Sequence, residues 1–116
     1  MKGNCMQLKS YDKNGITVVE IEGRLDASCA SVLKAKFREL SANQNNFVMD
    51  LSNMDYIDST GLGSIVSCLK VVSTANGDIK LACLKDKPRM IFEITRAYKI
   101  FDIFDDLNAA VESFIQ

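Results

Sequence analysis

The sequence predicts a small α/β domain built on a mostly parallel sheet, and three observations predict it. Apolar residues switch between strict alternation, as at Thr17, Val19 and Ile21, and three-to-four spacing, as at Leu62, Ile65, Val66, Leu69 and Val72. After Ile16 the two patterns follow one another along the chain, the order that right-handed crossovers between parallel strands require. The 116 residues contain no linker, repeat or low-complexity tract, so one domain is expected over residues 1–116. The pattern fits four to five strands and about four helices. Glu20 and Glu22 on one side of the first clear strand imply that one sheet face is only partly covered, with the helices packed mainly on the other.

Taken in order, Met6-Gln7-Leu8-Lys9 reads as an extra edge strand. Thr17, Val19 and Ile21 then face one way and Glu20 and Glu22 the other, a half-buried strand that Gly23 closes. Asp26 is the expected N-cap of a helix carrying Ala30, Leu33, Phe37 and Leu40 on one face, and the polar run from Ala42 to Asn46 ends it. Phe47, Met49 and Leu51 alternate as a second strand, and Met54 to Ile57 continues as an irregular or short extended segment toward Asp58. The helix through Leu62 and Val72 is the clearest in the chain, and Asn76-Gly77 stops it. Ile79, Leu81 and Cys83 form a third strand, and Pro88 suits the first turn of a helix carrying Met90, Ile91 and Ile94. Phe101 and Ile103 suggest a last short strand, after which Asp105 or Asp106 caps a helix with Leu107, Ala110, Val111 and Phe114 on one face.

The composition excludes several classes of function. Fourteen basic and fifteen acidic residues leave a net charge of −1, with no basic stripe along the sequence to suggest a nucleic-acid partner. No window approaches the roughly 18 to 20 apolar residues of a membrane span. Met1 to Cys5 carries no apolar core, so a secretory leader is not expected and a cytoplasmic location is. Cys5, Cys29, Cys68 and Cys83 are widely scattered and read as reduced, mostly buried thiols; with no histidine present, neither zinc nor any other cofactor is expected. The missing histidine also removes Ser-His and Cys-His nucleophiles. No phosphate-binding P-loop is present, and Gly61-Leu62-Gly63 lacks the later glycine of a dinucleotide fingerprint. In Asp58-Ser59-Thr60-Gly61 an extra residue separates the acid from the Thr-Gly pair, unlike an aspartic protease. Asp105 and Asp106 read as helix-start charges. The chain is expected not to be an enzyme.

The most telling stretch is Asp58-Ser59-Thr60-Gly61-Leu62-Gly63, where a strand-like run meets the clearest helix. An acid precedes a small hydroxyl residue, and two glycines keep the first turn bare. Unpaired amides and the helix dipole favour an anion there, so a phosphate on Ser59 would be tolerated without unfolding the domain. On residue types alone two readings stand: Ser59 caps the helix, worth about 1 kcal/mol, or it is a modifiable switch. Asp26 and Asp58 likewise read either as caps or as part of the switch, and Gly61 as local backbone sterics or as clearance for a partner.

This segment resembles the signature of bacterial anti-sigma factor antagonists, members of the sulfate transporter and anti-sigma factor antagonist (STAS) domain family. Their motif is an acid, a phosphorylatable Ser, Ser or Thr, Gly, then Leu or Ile, and here it reads Asp58-Ser59-Thr60-Gly61-Leu62. Gly23-Arg24-Leu25-Asp26 is similar to the family's Gly-x-Leu-Asp turn, and Phe47-Val48-Met49-Asp50-Leu51-Ser52 to the strand that leads into the switch. In order and spacing the resemblance spans essentially the whole chain.

The resemblance implies a single STAS-like domain that works by partner switching. The unphosphorylated antagonist would bind an anti-sigma factor that is also a serine kinase, releasing a sigma factor. Phosphorylation would end that binding and a serine phosphatase would restore it. Carried onto this chain, Ser59 is the phosphoacceptor, Gly23 and Asp26 belong to a neighbouring contact loop, and Asp58, Thr60, Gly61 and Leu62 frame the serine. No catalytic residue and no metal ligand is implied. The alternative on the same fold is an accessory subunit of a transporter or signalling scaffold, although such relatives often lack the phosphorylatable serine. A small nucleotide-handling enzyme is disfavoured by the missing histidine and P-loop.

Overall fold

The computed structural model describes residues 6–115. The strands are β1 (Gln7–Lys13), β2 (Ile16–Leu25), β3 (Asn46–Asp50), β4 (Met54–Ile57), β5 (Asp78–Ala82) and β6 (Ile103–Phe104). The helices are α1 (Ala30–Leu40), α2 (Ser59–Ser73), α3 (Asp86–Ile94) and α4 (Leu107–Ile115). Met1 to Cys5, read above for a leader, lie outside the described residues.

The sheet runs β1-β2-β3-β5-β6, with β1 antiparallel and the remaining pairs parallel. Asn14 and Gly15 join β1 to β2, both at positive φ (55° and 84°), the conformation a tight hairpin needs to match strand twist. The edge strand is therefore longer than Met6 to Lys9.

Ten-residue β2 serves two partners in succession. Its Thr17–Glu20 half pairs with Phe47–Asp50 of β3, and its Gly23–Leu25 end pairs with Met54–Ile57 of β4, with the register shifting between Gly23 and Arg24. Gly23 sits at φ 89°, a left-handed conformation that glycine adopts without a Cβ penalty. So Gly23 does not close the strand; it bends it, and the far end peels away to meet β4. That pairing makes Met54–Ile57, expected as an irregular or short extended segment, a sixth strand.

Side-chain alternation on the sheet splits the core in two. Val19, Ile21, Phe47, Met49, Ile79 and Leu81 face the main core under α1, α2 and α3, where the Phe37 and Phe47 ring centroids lie 4.6 Å apart. On the opposite face Ile16, Val18, Val48 and Ala82 meet Ala110 and Val111 of α4. Three helices thus cover one face, and α4 alone shields part of the other. Asp106 starts α4, its Oδ1 accepting from the Ala109 N–H at 2.8 Å.

Two local expectations change. On α3 the buried residues are Pro88 and Phe92 and Ile91 packs half-buried against the core as expected, while Met90 and Ile94 are 58% and 73% exposed. A nine-residue helix buries a single stripe, and Phe92, set edge-on to Phe101 at 6.2 Å, takes it. Among the cysteines, Cys68 and Cys83 are free thiols, whereas Cys29 is disulfide-bonded and so departs from the all-reduced reading.

Candidate functional site

The parallel ends of β2 and β4 bring two loops together at one edge of the main core. Leu25 pairs with Ile57, and the Asp58 N–H donates to the Leu25 carbonyl at 3.4 Å. The chain leaves β2 through Asp26-Ala27-Ser28 into α1 and leaves β4 through Asp58 into α2. Both predicted motifs thus meet beside helix N-termini at the carboxyl ends of parallel strands, where open α/β sheets place their binding sites.

Asp58, in extended conformation, is the N-cap of α2: its Oδ1 accepts from the Gly61 N–H at 2.7 Å. Its carbonyl takes the Leu62 N–H at 2.9 Å. Ser59 is therefore the first helical residue and not the cap. Its side chain is exposed, and no group among the described residues hydrogen-bonds its hydroxyl. Thr60 and Gly63 are also exposed, whereas Leu62 points into the core.

Gly61 is held by packing. A Cβ there would collide with the Leu25 carbonyl oxygen and stand 2.9 Å from its carbon and 3.1 Å from Ile57 Cγ1. Only a glycine lets α2 sit this close to the end of β2. Gly63 differs, because a Cβ there would have nothing within 4 Å.

Asp26 organises the neighbouring loop. Its Oδ1 accepts from the Ser28 N–H at 3.0 Å and the Ser28 hydroxyl at 2.6 Å, and its carbonyl accepts from the N–H groups of Cys29 and Ala30, each at 3.0 Å. The Ser28 hydroxyl, with the Ser28 amide and Arg24 assisting against some desolvation, holds the Asp26 carboxyl below its ordinary range. Asp26 caps this turn and not α1, whose N-cap position is Cys29. Arg24 lies 3.4 Å from the Asp26 carboxylate and 4.3 Å from the centroid of the Tyr56 ring, its cross-strand partner.

The sequence reading assigned no part to Ser28, Arg24 or Tyr56. Asp26-x-Ser28 is an Asx-turn pattern and was legible. The Arg24–Tyr56 contact depends on β4 being a strand. Among the described residues no group of three or more His, Cys, Asp or Glu is placed to hold a metal ion, and no helix is long and apolar enough to cross a membrane.

Comparison with known proteins places this geometry in context. Residues 7–110 match the STAS domain family. The anti-sigma-B factor antagonist of Bacillus subtilis (strain 168) is 35% identical over 85 residues, covering 73% of this chain and 78% of that protein. The crystal structure of an anti-sigma factor antagonist from Mycobacterium paratuberculosis superposes with a TM-score of 0.88 at 19% identity, covering 98% of this chain and 97% of that one. The Bacillus cell fate determinant SpoIIAA, solved in its phosphorylated form, superposes at 0.70 with 15% identity, covering 95% and 99% of the two chains.

Proposed function

The chain belongs to the STAS domain family, and on that premise we propose that it is an anti-sigma factor antagonist switched by phosphorylation of Ser59. Unphosphorylated, it binds an anti-sigma factor that is also a serine kinase and so releases a sigma factor. Phosphate on Ser59 ends that binding, and a serine phosphatase restores it.

One observation carries the reading. The Ser59 hydroxyl is exposed at the first position of α2 while Asp58 does the capping, so the fold has no use for that hydroxyl. A phosphate adds about −1.5 to −2 charges. Beside first-turn amides and the positive helix end it does not melt the helix, so its cost falls on docking. A −2 group about 6 Å from one partner carboxylate costs roughly 1.4 to 5.5 kcal/mol for effective dielectrics of about 80 down to 20. That is about tenfold to ten-thousandfold in affinity.

The other residues divide by role. Gly23, Gly61 and Leu62 hold the frame, Asp58 caps the helix, and Asp26 and Thr60 face the partner. SpoIIAA, whose fold this chain shares, is described in a phosphorylated form, so a phosphorylated state is compatible with this scaffold. The direct test incubates the protein with anti-sigma factor kinases and ATP and maps the modified residue by mass spectrometry. Phosphate on Ser59 is expected; label that consistently falls elsewhere, or on nothing, defeats the proposal.

A further inference from the structure

Helices α1 and α2 carry a basic excess on a chain whose net charge is −1. Together they carry Lys34, Lys36, Arg38 and Lys70 against a single acid, Glu39. Lys34 and Arg38, one turn apart on α1, line a shallow cleft with Ser67, Cys68 and Val71 of α2. Both cations are exposed, and among the described residues no acid pairs with either. Elsewhere some cations find acids among the described residues, as in Lys9 with Glu22, Lys80 with Asp102 and Lys85 with Asp55, while Lys13, Lys87, Arg96 and Lys99 do not. Val71, 41% exposed, adds apolar surface at the end of the cleft.

The cleft continues the outer face of α2 that begins at the switch. Exposed Ser59, Thr60 and Gly63 lead along that helix to Ser67 and Val71. Ser67 is eight residues beyond Ser59, roughly 12 Å along the axis at about 1.5 Å per residue. A segment lying along α2 from the cleft therefore reaches the phosphoacceptor.

We infer that the α1–α2 surface docks an acidic segment of the anti-sigma factor kinase, with Lys34 and Arg38 receiving carboxylates and Val71 covered by its apolar side chains. The inference rests on the function proposed above and adds the chemistry of the partner. Unpaired cations beside an apolar patch select an anionic, partly apolar chain by charge complementarity. The same segment explains the sign of the switch, because its acidic field is what a phosphate on Ser59 would meet.

The test uses the kinase that phosphorylates Ser59 and measures its affinity by calorimetry at low and moderate salt. The wild type is compared with Lys34→Gln/Arg38→Gln and Lys34→Glu/Arg38→Glu, with melting curves to check folding. The neutral pair should bind roughly two- to thirtyfold more weakly, the range that two exposed ion pairs span. It should also lose much of its salt dependence. The reversed pair should bind more weakly still. Equal affinity for all three proteins at both salts overturns the docking assignment and leaves the proposed function standing. Lys34/Arg38-dependent retention of a duplex DNA or of phosphatidylserine vesicles, with kinase binding unchanged, also overturns it. A wild-type protein that binds no anti-sigma factor kinase overturns the parent reading and this inference with it.

Discussion

Replacing Asp58 by alanine removes the acceptor of the 2.7 Å bond from the Gly61 N–H and takes an anion away from the positive end of α2. A lost cap costs about 1 kcal/mol, and the lost charge–dipole interaction adds a few tenths, roughly 0.3 to 1 kcal/mol. The expected total is about 1 to 2 kcal/mol. For a domain of this size each kcal/mol moves Tm by roughly 4 °C, so Asp58→Ala should melt about 4 to 8 °C lower. Ser59→Ala should stay within about 0.5 kcal/mol of the wild type, because the hydroxyl it removes is exposed and has no partner among the described residues. Asp58→Asn should keep most of the stability, since asparagine caps equally well. Thermal and urea melts of the three variants, followed by circular dichroism, measure the differences. If Ser59→Ala loses as much as Asp58→Ala, the serine is the cap, and the argument that the fold has no use for its hydroxyl collapses.

The two glycines of the first turn should respond in opposite directions. Gly61→Ala forces a Cβ into the Leu25 backbone and should destabilise by roughly 2 kcal/mol or more. Gly63→Ala meets open space in a helix and should stabilise by about 0.5 to 1 kcal/mol; denaturant midpoints report both, and a neutral Gly61→Ala would contradict the packing. Burial pushes the Cys68 thiol up to about 12 from 9.0. Above pH 9 the unfolded chain releases that proton while the native chain keeps it, so the unfolded state binds fewer protons and stability falls as pH rises. The contribution is about 1.4 kcal/mol per pH unit. Cys68→Ala should flatten the stability profile above pH 9, and an unchanged slope would show the thiol to be less buried than the structure has it.

Most of the fold was legible because its periods are strong. The alternation at Val19 and Ile21 and the helical spacing from Leu62 to Val72 each mark a face that packs in the main core. What escaped depends on contacts distant in sequence. Met54–Ile57 is too short to declare itself, and it becomes a strand because the bent end of β2 offers it a partner. Gly23 looks like a terminator from its neighbours alone, yet its positive φ redirects the strand. On α3, local spacing could not decide between Met90 with Ile94 and Pro88 with Phe92; Phe101, nine residues beyond Phe92, decides it.

The site shows the same division. Both motifs were legible, and the local signals placed Ser59 at or beside the cap. The Asp58 cap is a local contact and was among the readings the sequence offered, whereas the fit of Gly61 against Leu25 and the stacking of Arg24 on Tyr56 follow from the pairing of β2 with β4. The basic surface of α1 and α2 was invisible for a related reason. Lys34 and Arg38 are close in sequence on α1, and only the packing of α2 beside them makes a cleft with Ser67, Cys68 and Val71.

A dianion on Ser59 should be tolerated by the domain and refused by its partner. The most direct measurement takes the protein phosphorylated at Ser59 and records two quantities against the unmodified form: its Tm and its affinity for the anti-sigma factor kinase. The phosphoprotein should melt within about 2 °C of the unmodified protein, a change of roughly 0.5 kcal/mol or less, and bind at least tenfold more weakly. Phosphoprotein that melts far lower, or that binds its partner as tightly as before, would contradict that expectation.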